Sequence, residues 1–191
     1  PGDTRQHRKS VVEVPDAESI VRSSAVHEDA GTACSTSKHQ KNMIPKRIHL
    51  CWLSGDPYPQ KIQKCIDSWK IHLPDYEIML WDLKRFDIAQ VPWVEQAFRV
   101  KKYAFAADYI RLYALYNYGG IYLDSDVEVL KSFDPLLDLP YFVGAENAGT
   151  IEAAIIGAEK GCDWIKACLD YYKGRNFIQE NGQMDIRMLP E

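Results

Sequence analysis

A chain of 191 residues, 46% apolar and 26% charged, is long enough for one globular domain with a real core. Its formal net charge of −4 excludes the basic footprint of a nucleic-acid binder, so an anionic substrate must be met by local cations or a metal rather than by the overall field. The five cysteines, Cys34, Cys51, Cys65, Cys162 and Cys168, show no CxxC spacing, which signals neither a zinc site nor a disulfide framework and fits a reducing cytoplasm.

Residues 1–42 are rich in Ser, Thr, His and charged side chains, with one short apolar run at 11–14, and are expected not to fold by themselves. Met43 opens a different regime, MIPKRIHLCWLSG, and is expected to be the native start, with the domain spanning 43–191. No apolar run reaches the ~18 residues of a membrane span, and no signal-peptide apolar segment opens the chain, so a soluble protein is expected.

Residues 47–53 form an apolar run that predicts a buried strand, ending in a Ser-Gly-Asp-Pro loop. Cys51 and Cys65 read as small core residues, and His49 as a packed core residue rather than a ligand. Over 59–73, Ile62, Ile66, Trp69 and Leu73 recur at spacings of four, three and four, which is a helical stripe. Pro74-Asp75 stops it, and 76–81 reads as a second strand. A helix is expected at 93–100 and a stronger one at 102–118, closed by Gly119 and Gly120. Strands are expected at 121–123, 141–145 and 153–156, and a last helix at 163–172. This alternation predicts an α/β layer fold with a mostly parallel central sheet flanked by helices. Ligands in such sheets bind beyond the carboxyl ends of the strands, where Trp52 and Asp124 lie.

The segment GGIYLDSDVEVL at 119–130 carries the sharpest chemical signal. An apolar strand delivers two carboxylates, Asp124 and Asp126, separated by one serine. In extended backbone, residues i and i+2 share a side, so the two would converge and repel unless a cation sat between them. A hard divalent ion completed by a diphosphate satisfies that; an acidic turn is the plainer alternative. The preceding helix carries Asp108 and Arg111, three residues apart on one face. Either they form a local surface pair, or they line one cleft with the aspartates. The apolar positions Phe105, Ile110, Leu112 and Leu115 suffice to bury the helix without either charge, so Arg111→Ala is expected to weaken ligand handling and spare the fold. Arg111 suits a phosphate or a sugar hydroxyl, and ionised Asp108 accepts from hydroxyls. Together these residues describe a site for a metal-bound nucleoside diphosphate sugar.

The stretches IPKRIHLCW at 44–52, Ser68-Trp69, LPDYEI at 73–78 and AADYIRLYALYNYGGIYLDSDVEVL at 106–130 resemble the bacterial capsular-polysaccharide glycosyltransferases, which group with the yeast initiating α-1,6-mannosyltransferase in glycosyltransferase family 32. A similar Asp-x-x-Arg helix followed by Asp-x-Asp occurs in the clostridial glucosylating toxins. The resemblance covers about 44–172, and the combined motif is specific where a lone Asp-x-Asp is weak. It implies a GT-A-type nucleotide-sugar-binding fold, a UDP- or GDP-sugar donor, Mn²⁺ or Mg²⁺, a glycan acceptor and retention at the anomeric carbon. Carried over by motif, Asp124 and Asp126 match the metal and diphosphate pair, with Asp126 the direct ligand. Asp108 and Arg111 match the residues that hold the donor sugar. Trp52 matches the aromatic that stacks on the base, although a core tryptophan is the alternative. Family members commonly continue past the point where this sequence ends, so a truncated domain is expected.

Three functions stand against one another at this stage. The first is a metal-dependent retaining glycosyltransferase moving a hexose to a glycan or polysaccharide, placed in the cytoplasm or at the inner face of a membrane through a lipid-linked acceptor. The second is a catalytically incomplete domain that binds nucleotide sugar or carbohydrate. A nucleotidyltransferase is disfavoured, since no glycine-rich triphosphate loop bearing Lys or Arg lies near the first strand.

Overall fold

The computed structural model describes residues 43–145 and 151–187, and among these five strands and four helices follow one another. The expectations for 1–42 lie outside the described residues. Strand β1 is Arg47–Cys51, helix α1 Gln60–His72, β2 Glu77–Trp81, α2 Pro92–Arg99, α3 Tyr103–Tyr118, β3 Gly120–Leu123, β4 Tyr141–Ala145, β5 Ile151–Ala158 and α4 Asp163–Asp170. Each expected element is present. Helix α2 starts on Pro92, whose fixed φ and missing N–H suit the first helical position. Two short 3₁₀ turns, Ile88–Gln90 and Asp134–Leu136, have no period long enough to be read in the sequence.

The sheet order is β2-β1-β3-β5-β4. β1 pairs in parallel with β2 and β3, while β5 runs antiparallel to β3 and β4. Four strands therefore point one way and β5 alone is reversed. The mostly parallel expectation holds for strand direction, and the sheet is mixed in its pairing.

Strand alternation sends successive side chains into two cores. Ile48, Leu50, Ile121 and Leu123 face α1 through Ile62, Ile66 and Trp69. On the other face Tyr122, Ile156 and Ala158 pack with Trp93, Ile110 and Leu115 of α2 and α3. The result is a three-layer α/β/α arrangement. His49 is fully buried, as expected. Its Nε2 lies 2.8 Å from the Gly119 carbonyl, and Trp81 Nε1–H donates to Nδ1 at 3.0 Å. Because Nδ1 accepts, the neutral tautomer with the proton on Nε2 satisfies both contacts.

The double glycine joins α3 to β3 with no spare chain. Gly119 has φ +63° and donates its N–H to Leu115 O, closing the helix. Gly120 has φ +117°, and a Cβ there would stand 2.6 Å from Arg47 O. Only glycine lets β3 lie this close to β1.

Candidate active site

β1 and β3 are parallel neighbours with His49 opposite Tyr122, so Trp52 and Asp124 leave the sheet at the same carboxyl edge. The extended backbone stops at Leu123. Asp124 N–H donates to Ala154 O at 2.9 Å, and Val127 N–H donates back to Asp124 O at 3.0 Å. Asp124-Ser125-Asp126 is thus a β-turn, and the alternation argument for converging side chains does not apply to it. All three residues of the turn are half-buried.

What holds this turn comes largely from α1. Trp69 Nε1–H donates to Val127 O at 2.8 Å, and Val129 N–H donates to Ser68 Oγ at 2.9 Å. The Ser68 hydroxyl in turn donates a hydrogen bond to Cys65 O. The Ser68-Trp69 pair therefore clamps the backbone directly after Asp126. Sequence reasoning quoted these two residues only as part of a resemblance, because a Ser-Trp dipeptide on a helix carries no visible link to a loop 58 residues away.

Three of the expected site residues come together. Arg111 Nη2 donates to Asp108 Oδ1 at 2.8 Å and lies 3.5 Å from Asp124 Oδ1, while Nη1 donates to Ala153 O of β5 at 2.6 Å. The guanidinium sits 4.7 Å from the centre of the Tyr122 ring, whose hydroxyl donates to Asp124 Oδ1 at 2.9 Å. Arg111 is 7% exposed, which corrects the expectation that this helix could be buried without its charges. Its cation lies between two carboxylates, a carbonyl and an aromatic face, so Arg111→Ala would leave partly buried carboxylates uncompensated and strike the fold as well as the site. Burial opposes the charge on Arg111, but Asp124 and Asp108 outweigh it and hold its pKa above the ordinary value. Burial pushes the Tyr122 hydroxyl well above its usual range, with Asp124 adding to it, so it stays a donor. Burial likewise pushes the neighbouring Cys51 thiol up to about 12, which keeps it protonated and unreactive at neutral pH.

Tyr122 is the site residue that sequence reasoning missed. Inside an apolar strand it reads as core, and it is core, at 2% exposure, yet its one polar atom reaches Asp124. Tyr122 and Arg111 both reach the Asp124 carboxylate at Oδ1.

Trp52 stands at the same edge, half-buried, with its indole N–H donating to Asp56 O at 2.8 Å and its ring edge-on to Tyr58 at 4.9 Å. It packs against the core from one side, which meets the core-tryptophan alternative in part. Among the described residues no three His, Cys, Asp or Glu side chains group into a metal cage. Mg²⁺ is commonly held by one or two carboxylates plus substrate phosphates, and the hard oxygen donors of Asp124 and Asp126 fit that mode.

Residues 59–143 match the family model described as a glycosyltransferase sugar-binding region containing DXD motif. The chain is 37% identical over 131 residues to inositol phosphoceramide mannosyltransferase 3 of Schizosaccharomyces pombe, covering 64% of this chain and 35% of that protein. It is 35% identical over 123 residues to mannosyl phosphorylinositol ceramide synthase CSH1 of Saccharomyces cerevisiae, covering 61% and 32%. The chain thus spans about a third of the length of these curated relatives. In structure it resembles the PaToxG glycosyltransferase, with a TM-score of 0.52 and 22% identity over 70% of this chain and 63% of that one. That likeness supports the fold, of the expected GT-A type.

Proposed function

We propose that this chain, of which residues 59–143 match the glycosyltransferase sugar-binding region containing DXD motif, is a metal-dependent retaining hexosyltransferase of family 32 using a UDP- or GDP-sugar. The observation that supports this reading is the Asp108–Arg111–Asp124 constellation at the carboxyl edge of the sheet, to which we assign the donor sugar and diphosphate. Asp124 and Asp126 would hold Mn²⁺ or Mg²⁺, which would supply positive charge to the leaving diphosphate. Asp108 accepts hydrogen bonds from the hydroxyls of the donor sugar. Arg111, largely enclosed, orients Asp108 and Asp124 more than it touches the ligand. Trp52 offers an aromatic face to the base.

In the transfer step the acceptor oxygen bonds to the anomeric carbon on the face from which the diphosphate departs. The carbon–oxygen bond to the phosphate breaks, and the acceptor proton passes to the departing phosphate oxygen. No protein base is required for this front-face displacement. The names of the yeast relatives favour a mannosyl donor and a glycolipid acceptor, and a capsular or other polysaccharide is the alternative acceptor. Among the described residues no helix is long and apolar enough to cross a membrane. We place the reaction in the cytoplasm, at the membrane face that presents a lipid-linked acceptor.

The test is release of free nucleoside diphosphate from UDP-glucose and GDP-mannose with Mn²⁺, in the wild type and in Asp126→Ala. Turnover should fall at least a hundredfold in the variant and in chelator. Equal turnover in both proteins would remove the mechanism. Donor binding in calorimetry with no turnover in the wild type would instead leave a binding module.

A further inference from the structure

Ser68 and Trp69 stand on the buried face of α1, and nothing in the transfer step calls on either of them. What they hold is the main chain immediately after Asp126. β3 ends at Leu123, so residues 127–130 lie outside the ladder, and their buried amides and carbonyls need partners from elsewhere. Val127 and Val129 are both buried. Val127 N–H turns back to Asp124 O at 3.0 Å, and Val127 O receives the Trp69 indole N–H at 2.8 Å. Val129 N–H ends on Ser68 Oγ at 2.9 Å. The three successive peptides after Asp126 are thus each bonded, the first to the turn itself and the next two to α1.

A serine inside a helix commonly turns its hydroxyl to a carbonyl about one turn back, as Ser68 does to Cys65 O at 2.6 Å. That bond needs no loop. The contact accepted from Val129, 61 residues away in sequence, is of another kind, because it satisfies a chain that no strand supports. With its proton directed at Cys65 O, Oγ is left as the acceptor and its direction is set. An alanine would fit the same space, which separates the hydroxyl from the packing. Trp69 is fully buried and has packing as a sufficient reason for its ring, but not for its N–H, which a phenylalanine would lack. Polar atoms of two consecutive residues therefore converge on one short segment, directly behind Asp126.

Carboxylates that hold a metal ion depend on the contacts behind them, whose removal commonly lowers metal affinity about tenfold to a hundredfold. We propose that Ser68 and Trp69 are positioning residues for Asp126, fixing the main chain behind it so that the Asp124–Asp126 turn is preorganised for a divalent ion and its diphosphate. This role rests on the metal-dependent donor reading, and it places control of the ion's affinity in α1.

Calorimetry of GDP and of UDP with the full chain, each in Mn²⁺ and in EDTA, tests it. In the wild type Mn²⁺ should tighten the nucleotide that binds. Ser68→Ala should weaken binding in Mn²⁺ about tenfold and leave binding in EDTA within about twofold. Trp69→Phe, which keeps a ring in the core and removes the N–H, should show the same split independently of Ser68. Ile66→Val removes one methyl from the same buried face of α1 and no hydrogen bond, and should keep the full Mn²⁺ effect. An Mn²⁺ effect in Ser68→Ala as large as in the wild type, an equal loss in EDTA, or the same loss in Ile66→Val overturns the proposal and leaves the donor reading standing. A wild type that binds neither nucleotide, or binds one no better in Mn²⁺ than in EDTA, removes the metal-dependent donor reading, and the proposal falls with it.

Discussion

Asp124 is held by neighbours that no ligand needs to touch. The Tyr122 hydroxyl donates a hydrogen bond to Oδ1 from inside the core, and the same ring carries the Arg111 guanidinium on its face. These two roles are separable. Tyr122→Phe keeps the ring, the burial and the contact with Arg111, and removes only a hydrogen bond to an ionised carboxylate. Such bonds contribute about 1.5–3 kcal/mol, so kcat/KM for the donor should fall about tenfold to a hundredfold if that orientation is realised in the transition state. The thermal midpoint should move by only a few degrees. Unchanged kcat/KM would show that Asp124 keeps its place without the tyrosine. The acidic pair and the Asp-x-x-Arg helix were legible in sequence because the helix runs directly into the double glycine and the strand that ends in Asp-x-Asp, a combination more specific than either part alone. Tyr122 was not, since an aromatic in a buried strand has packing as a sufficient reason to be there. The burial of Arg111 was hidden for a related reason: helical periodicity assigns a charge to the outer face unless something inside pairs with it.

At the level of elements, the site is assembled from three pieces, each fixed by contacts onto main chain. Helix α1 clamps the chain after Asp126 through Ser68 and Trp69, β5 receives both Asp124 N–H and Arg111, and the double glycine sets the register of α3 against β3. Element types were legible because the apolar stripe of 62–73 and the short apolar runs of β1 and β3 have clear periods. The reversal of β5 was not, because an apolar run fixes that a strand is buried and leaves its direction open. Gly120 is where this assembly has least tolerance. Gly120→Ala combines φ +117° with a methyl 2.6 Å from Arg47 O and should destabilise by about 2 kcal/mol or more. Gly161→Ala, at φ +78° in open space, meets only the backbone strain and should cost about 1 kcal/mol. Urea midpoints of the two variants make the comparison. Equal losses would mean that the close approach of β3 to β1 does not constrain the sheet.

For the molecule as a whole, His49 ties β1 to β2 through Trp81 and to the α3–β3 junction through Gly119. Protonation would place a second N–H on Nδ1, directly facing the Trp81 donor, in a site with no access to water. Burial accordingly pushes its pKa down to about 4, from an ordinary 6.5. The unfolded chain therefore takes up this proton below pH 6.5, and the folded chain only near pH 4. Stability from this group is complete above pH 6.5 and is lost progressively as pH falls from 6.5 towards 4, by on the order of 3 kcal/mol in total. The carboxylates act in the same direction but lower down: Asp134, held below 3.8 by the Tyr76 hydroxyl, and Asp185, held below it by Arg187, lose their contributions only as pH drops past about 4. The two windows are separate, so the slope of stability between pH 6.5 and 4.5 reports His49. Urea unfolding across that interval should show the decline in the wild type. His49→Gln, which cannot take up a proton, should be less stable at pH 7, because the Trp81 and Gly119 contacts are imperfectly replaced, yet nearly flat across the same interval. An equal slope in both proteins would place the acid sensitivity elsewhere. A flat variant would identify one buried imidazole at the root of the α3–β3 turn as the group that limits the pH range over which the Asp108, Arg111 and Asp124 constellation stays assembled.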